Sequence, residues 1–150
     1  FLALLLFLTW PQGDTIPPIN ARIVAYVLAH EGQQVDRGEC WDLAAHALNH
    51  AEAKWDGQFG FGRAYDPERE QILPGDIIQF EKVTLEERTP NGMQRASFPK
   101  HTAVVISVPA TGKVTIAHQN FGETGRKVSR WQMDLTTTTR GKLLFFRPVP

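Results

Sequence analysis

The chain has 150 residues, 42% of them apolar, with 16 basic against 16 acidic side chains, which is enough for one globular core. With no excess of positive charge, nucleic acid is not an expected partner. Cys40 is the only cysteine, so no internal disulfide framework can form and one thiol has to be explained.

The opening Phe1 to Trp10, FLALLLFLTW, is apolar throughout, yet it is half the ~20 residues a bilayer-spanning helix needs and it matches the hydrophobic region of a secretion signal. Residues 1–16 are therefore expected to be a signal-peptide remnant or an N-terminal anchor, followed by one exported domain over 17–150. An apolar helix packed on the domain is the plain alternative, because periodicity cannot separate the two in so short a run. Unless this segment is an anchor, no membrane span is expected, and a monomer in the secreted, periplasmic or envelope space is the simplest assembly.

Pro17 and Pro18 suit a helix entry, after which Ile23, Val24, Ala25, Val27 and Leu28 recur at helical spacing up to Gly32, a C-terminal stop. Gln33 to Glu39 is a polar linker. Leu43, Ala44, Ala47, Leu48 and Ala51 then repeat with a period near 3.6, predicting a second helix from about Cys40 to Trp55. Residues 56–67, DGQFGFGRAYDP, mix glycine with aromatics and read as a long loop. From Pro74-Gly75-Asp76, a turn signature, the pattern becomes β: IIQFEKV over 77–83, then strands at 102–108, 113–119, 128–133 and 142–147. Residues 85–100 interrupt the sheet and read as a functional or disordered loop, and Thr136 to Thr139 as a turn or strand edge. Two helices followed by a roughly five-stranded antiparallel sheet define an α+β domain.

Cys40 opens the second helix, where unpaired N–H groups favour a thiolate. Glu39 and Asp42 oppose it, so a cationic partner is required; without one, a lone cysteine is usually a small buried hydrophobe. His101 starts the strand HTAVVISV after the long segment and can accept a thiol proton, although a lone histidine at a strand end is often only a satisfied polar group. If Pro109 to Gly112 form the hairpin loop, Asn120 falls opposite His101 at a Cβ separation of about 4.5–5.5 Å, with His118 a diagonal neighbour at about 7–8 Å. A two-residue loop at Thr111-Gly112 keeps the face and slides the pairing, whereas a one-residue slip turns both side chains away. Asn120 is thus the first candidate to orient the base and His118 the second. The backbone N–H of Cys40 is the first candidate oxyanion donor, with the Gln34 side chain as a weaker one.

These segments, GECWDL at 38–43, PGDIIQF at 74–80, HTAVV at 101–105 and VTIAHQN at 114–120, resemble in kind and order the papain-like cysteine hydrolases, and within them the CHAP amidase/endopeptidase domains. The resemblance implies a papain-like fold, Cys40 as nucleophile, His101 as base and Asn120 closing the family's acidic-Gln-Asn ending. His118 stands where that ending begins with Glu, and is similar to the third-position histidine of NlpC-type endopeptidases. The reaction implied by the resemblance is amide hydrolysis through a thioester, with peptidoglycan as substrate and no metal or organic cofactor required. A secreted, non-catalytic wall-binding module with the same fold is the other function class, favoured by Glu39 and His118. Papain-like cleavage of ordinary protein fits less well in a chain too short for a second large subdomain.

His46 and His50 have the i, i+4 spacing of metal ligands but lack a third ligand and a base nearby, so a solvated helix flank is expected. Among Trp41, Trp55, Phe59, Phe61 and Tyr65, only Trp41 is placed with the thiol as a substrate-binding residue. Arg126, Lys127 and Arg130 read as a solvated strand face.

Overall fold

In the computed structural model, which describes residues 15–150, two helices precede six strands. The secretion-signal reading of Phe1 to Trp10 lies outside the described residues, among which no helix is long and apolar enough to cross a membrane. Helix α1 spans Pro18–Ala29, its proline in the first turn where the missing N–H costs nothing, and it buries Ile19, Ile23 and Val27 on one stripe. Helix α2 spans Cys40–His50. It stops short of Trp55 because Glu52 turns left-handed (φ 58°) and the Ala53 N–H bonds back to the Leu48 carbonyl at 2.9 Å, closing the helix end.

The strands are β1 (Arg63–Tyr65), β2 (Ile77–Thr89), β3 (Gly92–Ala110), β4 (Lys113–His118), β5 (Ser129–Asp134) and β6 (Thr138–Arg147), in one antiparallel sheet ordered β1-β6-β2-β3-β4-β5. The α+β class is as expected, with one more strand. β1 comes from the glycine-aromatic stretch and pairs with the end of β6. The predicted loop over 85–100 is instead a hairpin, in register from Leu85↔Ala96 to Thr89↔Gly92 around Pro90-Asn91. Its polar residues resemble a loop because the ribbon is largely solvated; across it Arg95 pairs with Glu86 at 2.8 Å.

Both faces of the sheet are covered. On one, α1 and α2 pack through Ile23, Leu43 and Leu48 against Ile77, Val104, Ile106 and Ala117. On the other, Ile78, Phe80, Ala103, Val105, Val114, Ile116 and Phe145 form a second core. Side-chain alternation in β2 and β3 resets at Lys82 (φ 53°) and Pro99, neither of which joins the ladder, so Phe80 and Val83, and equally Phe98 and His101, share the second core's face.

The Pro74-Gly75-Asp76 turn seats α1 against the sheet. Gly75 has φ 89°, and a Cβ there would lie 2.6 Å from the Asn20 carbonyl oxygen, so only glycine lets the helix approach. The fully buried Asp76 accepts hydrogen bonds from Asn20 Nδ2 (3.0 Å), Tyr65 Oη (2.6 Å), the Leu73 N–H (2.9 Å) and Arg147 Nε (2.7 Å). One carboxylate thereby joins α1, β1 and β6.

Candidate functional site

Three devices fix the start of α2. Gly38 has φ 78°, and a Cβ on it would sit 2.5 Å from Arg126 Cβ. Asp42 Oδ2 accepts the N–H groups of Arg37 (3.1 Å) and Glu39 (3.2 Å), and its other oxygen takes Arg37 Nη2 at 2.7 Å, capping the helix with a neutralised carboxylate. The buried Gln119, just past β4, accepts the Val35 N–H (2.7 Å) and donates to the carbonyls of Val35 (3.2 Å) and Glu39 (3.0 Å). The linker into Cys40 is thus sewn to the end of β4.

Cys40 is half-buried at a cleft of about 510 Å³. Its walls are Arg37, Glu39 and Trp41 from the helix start, Gly57 to Phe59 from the loop, and Lys100 and Thr102 from β3. The loop is held in place: Trp41 Nε1 donates to the Gln58 carbonyl at 2.5 Å, and the Asp56 carboxylate accepts the N–H groups of Gln58 (2.7 Å) and Gly60 (3.0 Å). Lys100 Nζ lies 3.8 Å from the centroid of the Phe59 ring. Burial pushes the Cys40 thiol above its ordinary pKa, outweighing the Thr102 and Trp41 N–H groups that favour the thiolate, while the Glu39 charge adds to the rise. Glu39 itself is held below the usual carboxylate range by Arg126, whose Nη1 lies 2.7 Å away, and by Asn120. A depression of about 440 Å³ between the β2–β3 ribbon and β5 is similar in size but holds neither thiol nor imidazole.

His101 does not face this cleft. Thr102, beside it in β3, points to the thiol and donates to Gln79 Oε1 at 2.5 Å, while His101 pairs with Phe80 on the opposite face of the sheet. There its Nε2 lies 2.9 Å from His118 Nδ1, inside a box of Phe80, Phe98, Phe121 and Trp131. Burial first, then the neighbouring His118 charge, lowers the His101 pKa to about 3; burial lowers that of His118 to about 4. At neutral pH both rings are uncharged and one donates an N–H to the other's lone pair.

The expected pairing is recovered in part. The hairpin closes with Ala110 opposite Lys113 around Thr111-Gly112, and register shifts on either side of Ser107 then bring Val104 opposite Ala117, the pairing a four-residue loop predicts. β4 ends at His118, however, and Asn120 turns left-handed (φ 58°), so its side chain leaves His101 and donates to Glu39 Oε2 at 3.0 Å. His118 rather than Asn120 meets His101. Gln34 is exposed, donates to the Asp36 carbonyl at 3.1 Å and stays outside the cleft, whereas Trp41 lines it. His46 Nε2 lies 2.9 Å from Asp36 Oδ2 and His50 packs on the Tyr26 ring, each on the helix flank. The structure therefore brings Cys40 and Trp41 to one side of the sheet and His101 and His118 to the other. Lys100, Thr102, Phe59 and Arg126, none of which the sequence singled out as site residues, complete the cleft and its support.

A helix that opens on a thiol and packs across an antiparallel sheet is the arrangement of the cysteine-proteinase fold. The chain belongs to the AIM3/BBC1 cysteine proteinase-fold domain family, whose model matches residues 18–150. It is 29% identical over 173 aligned residues to Altered inheritance of mitochondria protein 3 of Debaryomyces hansenii, an alignment covering 96% of this chain and 18% of that protein. The chain thus spans less than a fifth of the length of that relative. Two crystal structures of Ly7917 share the fold: one with the hydrolyzing product of MDP (TM-score 0.53, 18% identity, 86% of this chain and 62% of the other). The second has a TM-score of 0.50 at 20% identity, over 85% of this chain and 62% of the other.

Proposed function

We propose that this domain is a peptide-binding module built on the cysteine-proteinase fold, with recognition in the Cys40 cleft and no Cys-His turnover. One observation carries the reading: β3 presents Lys100 and Thr102 to the thiol and turns His101 into the second core. A thiol whose pKa burial has raised, with no imidazole in its cleft among the described residues and with its neighbouring carboxylate Glu39 held by Arg126, is a weak nucleophile at neutral pH. The same cleft, with indole and phenyl walls, a cation and a well-anchored loop, has the make-up of a small binding site.

Hydrolysis of a peptidoglycan or peptide amide by a CHAP-type enzyme, exported to the envelope, is the second reading. In its favour are the motif order and the place of Cys40, half-buried at a helix start with the Trp41 and Thr102 N–H groups against its sulfur. Incubating purified peptidoglycan and casein with wild type and Cys40→Ala, then identifying new termini by mass spectrometry, separates the two. The binding reading expects no new termini from either protein and iodoacetamide labelling of Cys40 at neutral pH no faster than that of a free thiol. Termini produced by wild type and lost in Cys40→Ala establish the hydrolase instead.

A further inference from the structure

We propose, resting on the peptide-binding reading above, that the cleft selects the C-terminal end of a peptide: Lys100 Nζ takes the terminal carboxylate, and Trp41 and Phe59 take the last, apolar side chain. The charge arrangement points there. Three charged side chains line the cleft, and two are already neutralised: Arg37 by Asp42 at 2.7 Å, and Glu39 by Arg126 at 2.7 Å. Lys100 makes no ion pair among the described residues. Its cross-strand neighbour Glu81 instead accepts Gln79 Nε2 at 3.3 Å, and the lysine ammonium rests on the Phe59 ring. An exposed cation at the rim of the cleft, resting on its aromatic wall and free of any ion pair among the described residues, matches an anion attached to an apolar group. The positive end of α2 opens on the same cleft and adds to the attraction. A volume of about 510 Å³ suits a terminal residue or two rather than a long segment.

The test compares N-acetyl-Gly-Ala-Leu as free acid, the same peptide as C-terminal amide, and decanoate, by calorimetry and by NMR of the Trp41 indole and Phe59 ring. The free acid is expected to bind wild type about tenfold more tightly than the amide, the scale of one charge-assisted hydrogen bond. Lys100→Met is expected to abolish that difference, and Lys100→Arg to keep most of it. Equal affinity for acid and amide overturns the carboxylate assignment and leaves peptide binding standing. Failure of both peptides to move the Trp41 and Phe59 resonances overturns peptide binding itself, and decanoate binding in that case assigns the carboxylate to a non-peptide source.

Discussion

His101 and His118 lie together in the second core, on the side of the sheet away from the thiol, and their burial makes the fold acid-sensitive. Unfolded, each titrates near ~6.5; folded, they titrate at about 3 and about 4. Between about pH 6.5 and pH 4 the unfolded chain therefore binds protons that the folded chain refuses, so stability rises with pH through that window and is fully present above it. The urea midpoint is expected to fall steadily as pH is lowered from 7 to 4, and a His101→Phe/His118→Leu double variant to flatten that slope. His118→Leu alone leaves His101 Nε2 without its partner at 2.9 Å and is expected to lose about 1–3 kcal/mol at pH 7 by equilibrium unfolding. A profile as steep in the double variant as in wild type would refute the assignment of the acid sensitivity to this pair.

At the scale of elements, the starts of both helices and most of the strands were legible, because Pro17-Pro18, the period near 3.6 and the Pro-Gly-Asp turn are local signals. The ribbon over 85–100 was not, since its backbone bonds are made between two polar segments that each look like loop. The face of His101 was not legible either, for a different reason. Ala103, Val104, Val105 and Ile106 are all apolar because the sheet is covered on both sides, so alternation carries no information about which residue meets α2. Arg126 read as a solvated cation because its partner Glu39 lies 87 positions away in sequence. Gly38 bears directly on that contact. Gly38→Ala must hold φ 78° and push against Arg126, so it is expected to cost about 1–2 kcal/mol from the left-handed backbone alone and to loosen the Arg126–Glu39 pair. Thermal unfolding together with the Arg126 side-chain NMR signal checks both parts.

At the scale of the whole molecule, Asp76 and Arg147 tie separate elements together, linking α1, β1 and the end of β6. Arg147, the last residue of β6, meets the fully buried Asp76 through Nε at 2.7 Å and Nη2 at 2.9 Å, and reaches Glu70 at 3.0 Å. Arg147→Met is expected to destabilise by about 3–5 kcal/mol, measured by denaturant unfolding, because it strands a charge that has no water to fall back on. Restoring much of that loss by adding Asp76→Asn would identify the stranded charge as the cause. The reset at Lys82 and Pro99 decides what lies beside the sulfur. Unbroken alternation from Phe98 would send His101 to the face opposite that ring, the face of the Cys40 cleft; the extra step at Pro99, matched by Lys82 across the ribbon, sends the imidazole to the far layer and leaves a threonine hydroxyl beside the thiol.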